Sequence, residues 1–381
     1  MNFELNVEQL AIQKMTREFV EKEVIPVAAH YDEIEEMPVE LIRRMVRQGY
    51  ATVSLPEKYG GAGMDQVTLC LVTEELGRGC AGIATSVGAN TLAALPILLA
   101  GSEEQKEHYL SAIAGGKLAS FCLTEPGAGS DVSAIATTAL ADGDDYVING
   151  VKCFITNGGY ADLYVVFALT NPKRGVRSLT PFVVERGTLG LSAGKKEKKM
   201  GIRASNTSEV ILEEVRVPAG NRLGKEGSGF RAAMETFDLS RPMIGALAVG
   251  VARAAYEAAV KYARERVQFG KPIATQQAIQ FMLADMAMEI EAARALVFKA
   301  AAMAEKQERS LSAYAAMAKA YASDMAMRVT VDALQVLGGY GYIRDYPLEK
   351  YMRDAKILQI YEGTNQIQRL IIAEGILKGY I

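Results

Sequence analysis

One carboxylate in this chain is placed to take a proton. Glu362 lies in Ile360-Tyr361-Glu362-Gly363-Thr364-Asn365-Gln366-Ile367-Gln368-Arg369, with apolar residues before it, a glycine after it and an amide-rich run beyond. A carboxylate carried on a turn into apolar surroundings loses hydration, which raises its pKa toward working pH and suits it to general-base work. The residue type also fits an exposed helix-capping acid, favoured by the helix dipole. Two other stretches have the composition of ligand-holding turns. Thr124-Glu125-Pro126-Gly127-Ala128-Gly129-Ser130-Asp131 contains a Gly-x-Gly, but Val132 stands where a dinucleotide fingerprint needs its third glycine, so it is no Rossmann loop. Its small residues and hydroxyls still let backbone amides approach a phosphate or a flat heteroaromatic ring. Phe154-Ile155-Thr156-Asn157-Gly158-Gly159 ends another expected strand in a similar turn. A plain hairpin connection explains either turn alone; two of them explain it less well.

Other chemistries are disfavoured. The chain has only two histidines, His30 and His108, neither near another histidine or a cysteine in sequence, so imidazole catalysis and histidine metal sites are poor fits. Cys70, Cys80, Cys122 and Cys153 lack CxxC spacing and read as free thiols in a reducing cytoplasm. With 42 basic against 45 acidic residues there is no charge excess to attract nucleic acid. Met1 to Glu8 has no basic or apolar leader pattern, and the apolar window from Thr85 to Gly101, broken by Asn90 and Pro96, reads as a buried helix and not a stable membrane insertion.

The elements that must position these residues fall into three blocks, an α+β arrangement. Residues 1–118 read as an N-terminal helical domain. Leu10, Met15, Phe19, Val20 and Val24 form an apolar stripe, with Pro26 near its end. Pro38 opens a second amphipathic helix with Leu41, Ile42, Met45 and Val46 inward and Arg43, Arg44 and Arg47 outward. Ser102 to Gln105 fits a capping box. Residues 119–228 read as a middle β domain, with short strands at 120–124, 146–148, 151–155, 163–168, 180–184 and 209–212, and a solvated loop at Lys195 to Lys199. The absence of intervening helices argues against a doubly wound parallel sheet. Residues 229–381 read as a C-terminal helical bundle with long alanine-rich runs at 230–266, 277–307 and 311–337.

Taken in order, TEPGAGSDV, FITNGG, RVQFGKPI, LQVLGGYGY and IYEGTNQIQR on a helical, β, helical chain resemble the acyl-CoA dehydrogenase family over essentially the full length. The resemblance implies one FAD per subunit, a homotetramer built as a dimer of dimers, oxidation of an acyl-CoA thioester to the trans-2-enoyl-CoA, and electron delivery to an electron-transfer flavoprotein. It assigns the flavin to Phe121, Leu123, Thr124, Gly129, Ser130, Phe154, Ile155 and Thr156; the Phe154 position is often Trp in relatives. The pyrophosphate and adenosine half falls to Arg266, Gln268, Phe269, Gln277, Gln335 and Gly339 of the neighbouring subunit, and Thr364 and Gln366 also touch the cofactor.

Glu362 matches the family's base, whose backbone amide, with a ribityl hydroxyl, binds the thioester carbonyl. Some branches carry the base beside the arginine of Phe237-Asp238-Leu239-Ser240-Arg241-Pro242; Ser240 stands there in this chain. Asp238 and Arg241 match residues that contact CoA, although an Asp and an Arg three apart on a helix also form a structural ion pair. The resemblance implies further substrate contacts at Ser130, Tyr361 and Gly363. Thr85 and Gly88 match the acyl-pocket floor, where a medium-chain relative has a larger acidic residue in place of Gly88. The missing side chain leaves room for a longer chain or a ring unless others refill it. No arginine lies in this stretch, which disfavours a dicarboxylic acyl group. An acyl-CoA oxidase is the alternative within enzymes, disfavoured because no extra domain follows Ile381. A non-catalytic CoA-thioester-binding scaffold is the alternative outside them, disfavoured by the retained Glu362.

Overall fold

The computed structural model describes residues 4–306 and 308–381; the first three residues of the stretch read as free of a leader pattern lie outside it. Six helices come first: α1 (Val7–Phe19), α2 (Ile25–Glu33), α3 (Val39–Arg47), α4 (Gln66–Gly79), α5 (Ala81–Ala100) and α6 (Glu103–Ala114). Seven strands follow: β1 (Ala119–Cys122), β2 (Thr138–Asp142), β3 (Asp145–Thr156), β4 (Leu163–Leu169), β5 (Leu179–Glu185), β6 (Leu191–Lys196) and β7 (Thr207–Pro218). The long helix α7 (Gly229–Glu265) then leads through the short pair β8 (Val267–Gln268) and β9 (Lys271–Pro272) to α8 (Gln277–Glu305), α9 (Leu311–Leu337), α10 (Leu348–Leu358) and α11 (Asn365–Leu377).

The strands form one sheet. β4 pairs antiparallel with β5 and parallel with β1, and the path continues through β2, β3 and β7 to β6. β4 is buried on both faces, and its side chains alternate between two cores. Val165 and Phe167 face the core shared with the helices, whereas Tyr164 and Val166 face a second core inside the β domain with Phe182 and Val184.

Several expectations are corrected. The first helical stretch is not one α-helix: a π turn at Val20–Val24 follows α1 and runs into α2, where Pro26 takes a first-turn position that needs no amide hydrogen. The stripe is only partly inward. Val20 and Val24 are fully buried, while Leu10 and Met15 are exposed. Arg43 turns partly inward to bond Asp162 at 2.7 Å, tying α3 to the start of β4. The strand segments 146–148 and 151–155 are one strand, β3, bent by register shifts. β2 and β6 carry too few β-branched residues to stand out, and β6 takes in Lys195 and Lys196 from the expected loop. The capping box at Ser102 and Gln105 is present, and α7, α8 and α9 lie close to their expected runs. α5 and α7 are long and apolar enough to cross a membrane, but most of the qualifying stretch of each is buried in the core.

α4 and α7 cross backbone to backbone. A Cβ on Gly250 would lie 2.1 Å from the Glu74 carbonyl oxygen, and one on Gly77 would lie 2.7 Å from that of Leu247. The crossing encloses two fully buried carboxylates, Glu74 and Glu75. Glu75 accepts from Arg17 (2.7 Å), Arg253 (3.1 Å) and Arg78 (3.2 Å); Glu74 accepts from Arg253 and from Arg294 at 3.0 Å. Helices α1, α4, α7 and α8 are thereby joined around charges that are stable only while paired. Arg253→Met strips one shared cation from both acids and is expected to destabilise the protein by about 3–5 kcal/mol, read as a lower melting temperature. An unchanged melting temperature would mean that Arg17, Arg78 and Arg294 suffice.

Candidate functional site

Glu362 sits in the link between α10 and α11. Past Leu358 the chain continues with Tyr361 donating to the Ile357 carbonyl at 3.0 Å, and Asn365 N–H closes the link on the Gln359 carbonyl at 3.0 Å. Between them Glu362 (φ 53°) and Gly363 (φ 88°) are both left-handed. Glycine adopts that conformation freely, but a glutamate does so at a cost of about 1–3 kcal/mol. The turn persists because its carbonyls are held. Gln368 Nε2 donates to both, at 3.0 Å to Glu362 O and 2.9 Å to Gly363 O, and Lys319 Nζ donates to Gly363 O at 2.7 Å. Thr364, not Glu362, caps α11, accepting from Ile367 N–H. The helix-capping reading of Glu362 is thereby replaced.

The Glu362 side chain reaches α7, where Ser240 Oγ donates to Oε2 at 2.5 Å. Burial pushes its carboxyl above the ordinary value, opposed by the Ser240 hydroxyl and the charges of Lys319 and Arg241. Beside it Arg241 and Asp238 form an ion pair at 2.7 Å. Burial pulls Arg241 down and pushes Asp238 up, each countered by the other's charge. Beside this pair Arg241 Nε is buried without a hydrogen-bond partner among the described residues, as is Thr236 Oγ1, one turn before Ser240 on α7. Burial also raises the Tyr361 phenol, with Thr85 opposing. Nor does any carbonyl among the described residues accept the Glu362 amide. Unsatisfied donors and acceptors cost free energy until a polar ligand meets them.

The two β-domain turns stand side by side. Cys153 N–H donates to the Thr124 carbonyl at 3.0 Å, and Ser120 Oγ to the Thr156 carbonyl at 2.9 Å. Beneath them lies a buried ion pair. Lys152 Nζ bonds Glu125 at 2.7 Å and the Leu123 carbonyl at 3.1 Å, while Glu125 also accepts from the amides of Ala136 and Thr137. This fixes the first turn from below and leaves its upper surface free: a Cβ at Gly127 or Gly129 would meet nothing within 4 Å. Ser130 is exposed, whereas Leu123 and Ile155 are buried in support of the turns. Phe154, left-handed at φ 57° on the irregular stretch of β3, presents its ring outward at 65 % exposure. Thr124 and Thr156 are partly exposed. Phe121 packs edge-on against Phe237 at 5.7 Å, which joins β1 to the segment of α7 that carries Asp238, Ser240 and Arg241. Open glycine backbone, threonine hydroxyls and an outward aromatic fit a flat heteroaromatic ring.

At the far end of α7 a separate open cleft of about 560 Å³ is lined by Arg266, Gln268, Phe269, Gln335 and Gly339. Gln277 lies outside that lining, at the start of α8, where Gln276 and Ile279 contribute. Phe269 is 96 % exposed and Gln366 is also exposed. A guanidinium, amides and bare glycine backbone fit the phosphates and base of a nucleotide. At the stretch expected to form the acyl-pocket floor, a Cβ at Gly88 would lie 3.4 Å from the Met243 methyl, so a methionine from α7 stands against the gap left by the missing side chain.

Sequence reasoning did not find Lys319, Gln368, the Glu125–Lys152 pair or Met243. A lysine among the alanines of 313–322 was a visible signal for the first; the others depend on contacts between elements distant in sequence.

Three domain profiles of acyl-CoA dehydrogenases match the chain: the N-terminal domain over residues 6–117, the middle domain over 120–215 and the C-terminal domain over 227–377. An acyl-CoA dehydrogenase of Bacillus subtilis is 48 % identical over 381 residues, covering 98 % of each chain. Among solved structures, butyryl-CoA dehydrogenase from Megasphaera elsdenii superposes with a TM-score of 0.97 at 45 % identity, covering 99 % of this chain and 100 % of that one. A chain from the structure of the electron transferring flavoprotein of Acidaminococcus fermentans also gives 0.97, at 48 % identity, with 99 % and 100 % covered.

The raised pKa of Glu362 has a consequence for stability. The native state holds this proton at pH values where the unfolded chain has lost it, so stability falls as pH rises from the ordinary carboxylate range through the raised value. Glu362→Gln is therefore expected to melt above the parent at pH 8, with the gap closing below the ordinary glutamate range. Thermal melts of both proteins across that range check it; a Gln variant that melts lower at pH 8 contradicts it.

Proposed function

The chain belongs to the acyl-CoA dehydrogenase family, and on that premise we propose that it removes an α proton and a β hydride from a short- to medium-chain acyl-CoA thioester, with Glu362 as the base, giving the trans-2-enoyl-CoA. The observation that carries this reading is the partly buried Glu362 carboxylate, on a strained turn, bonded to Ser240 and beside the Arg241–Asp238 pair. The α proton of a thioester is very weakly acidic, so the carboxylate must act while charge on the carbonyl oxygen is stabilised. The free Glu362 amide is the donor this chain offers for that oxygen. Arg241 and Asp238 border the CoA end, with Ser130 meeting the pantetheine, and Tyr361, Gly363, Thr85 and Gly88 border the acyl end.

FAD, when bound, supplies the acceptor for the β hydride. Phe121, Leu123, Thr124, Gly129, Ser130, Phe154, Ile155 and Thr156 would hold its ring, Thr364 and Gln366 would touch it, and Arg266, Gln268, Phe269, Gln277, Gln335 and Gly339 of a neighbouring copy its nucleotide half. The exposure of Phe269, Gln268 and Gln335 supports a site completed between subunits, hence a homotetramer built of dimers. The likeness to the Acidaminococcus chain supports an electron-transfer flavoprotein as the acceptor, and four buried thiols suit a cytoplasmic setting.

Anaerobic mixing of the flavin-loaded protein with a panel of acyl-CoAs tests the reaction: bleaching of the flavin is expected, and none with any thioester would overturn it. Oxygen consumption without another acceptor would favour an oxidase. Glu362→Gln is expected to retain FAD and acyl-CoA but lose flavin reduction by at least ~10²-fold; near-parental turnover would remove Glu362 from the base role. Met243 against Gly88 leads to one more expectation. Met243→Ala should raise the rate with octanoyl-CoA relative to butyryl-CoA, and an unchanged ratio in stopped-flow comparison would place the end of the acyl chain elsewhere.

A further inference from the structure

Helix α9 is packed on its inner side with Ala315, Ala316, Ala318 and Ala322, all fully buried. In their midst Lys319 is also fully buried, and among the described residues it has no carboxylate within ion-pair distance. An ammonium taken out of water without such a partner is costly and persists only where other groups hold it. Its hydrogen bonds go to the Gly363 carbonyl at 2.7 Å and to Asn365 Oδ1 at 3.0 Å, both in the link that carries Glu362. Asn365 is itself anchored, donating to Asp324 at 2.7 Å and to Ser323 Oγ at 2.9 Å.

We propose that Lys319 is a positioning residue for the base: its ammonium clamps the left-handed turn through Gly363 and keeps the partly buried Glu362 carboxylate ionised. The proposal rests on the reading of Glu362 as the base. Its geometry has two parts. A planar trans peptide points N–H opposite C=O, so pulling the Gly363 carbonyl onto Lys319 turns the Thr364 amide away from α9. The second part is electrostatic. The charged or titratable groups that act on or border Glu362 are Lys319 from α9, Arg241 and its partner Asp238 from α7, and Tyr361 on its own link. Arg241 is largely committed to Asp238, which leaves Lys319 as the cation without a carboxylate of its own. Asp324, the other acid that acts on Lys319, is engaged by Arg369 at 2.8 Å. Burial pushes Lys319 down to about 7, with Glu362 drawing it back up, as expected for a cation that depends on that carboxylate.

The test is the pH profile of anaerobic flavin reduction by butyryl-CoA in flavin-loaded parent, Lys319→Met and Lys319→Gln, with flavin content and butyryl-CoA affinity measured alongside. Loss of the cation should let burial raise the base further. In Lys319→Met the rising limb is expected to move to higher pH and the rate at pH 7 to fall roughly tenfold or more, one decade per unit of displacement. Flavin content and butyryl-CoA affinity should stay within a few-fold. Lys319→Gln keeps a donor for Gly363 without the charge, so it should recover part of the rate at high pH while its limb stays displaced. A limb that coincides with the parent's, or a loss equal at every pH, overturns the proposal. Failure of both variants to hold flavin assigns Lys319 a purely structural role and overturns it as well. Glu362→Gln run in parallel separates the two readings: if it stays active, the base assignment falls, and if it is inactive while the Lys319 profiles match the parent's, only this proposal falls.

Discussion

The chemistry proposed for this protein depends on a two-residue turn that its own backbone disfavours. Glu362 and Gly363 are both left-handed, and only the second is a glycine. What keeps the turn in place is the capture of its two carbonyls by Gln368 from α11 and Lys319 from α9. Any looser arrangement would let Glu362 relax toward an ordinary exposed acid at the head of a helix, with neither its raised pKa nor its contact to Ser240. The long helices therefore do more than fill a core, since their packing over-determines one strained link.

The β domain meets the same requirement by a different device. The turn at Thr124–Asp131 leaves its upper surface bare and is braced from below by Lys152 and Glu125, both buried, with two backbone amides completing the carboxylate. The bracing explains how small residues with no packing of their own hold a defined shape. The contact between Phe121 and Phe237 joins this floor to α7, so the small-residue turns and the Ser240 contact to Glu362 are referred to one helix. Buried charge recurs at the α4–α7 crossing, where Glu74 and Glu75 are matched by arginines from three other helices and one from α4 itself.

Much of this was legible in the chain. The alanine-rich runs gave α7, α8 and α9 nearly to their ends, because a period of 3.6 sustained over many residues is hard to mistake. Short strands were less legible: β2 (Thr-Ala-Leu-Ala-Asp) and β6 (Leu-Ser-Ala-Gly-Lys-Lys) owe their existence to neighbours in the sheet more than to their own residues. Pro26, which lies near the end of the apolar stripe, sits in the first turn of α2, a place the sequence alone did not specify. Leu10 and Met15 misled because the buried positions of α1 are held by Gln9 and Thr16, polar residues that an apolar stripe does not show.

By itself the sequence determined the types of residue available for chemistry: one well-placed carboxylate, two small-residue turns, no histidine cluster and a serine at position 240. These are local facts, written in residue identity and spacing. Only the tertiary structure decided what state the carboxylate is in. Its partial burial, its bond to a hydroxyl 122 positions away and the buried ammonium behind it all depend on α7, α9 and the final link meeting in one place. The same holds for Gly88, whose missing side chain suggested space until α7 brought Met243 against it. Burial and electric field come from neighbours in space, and a list of residues does not contain them until the chain has folded.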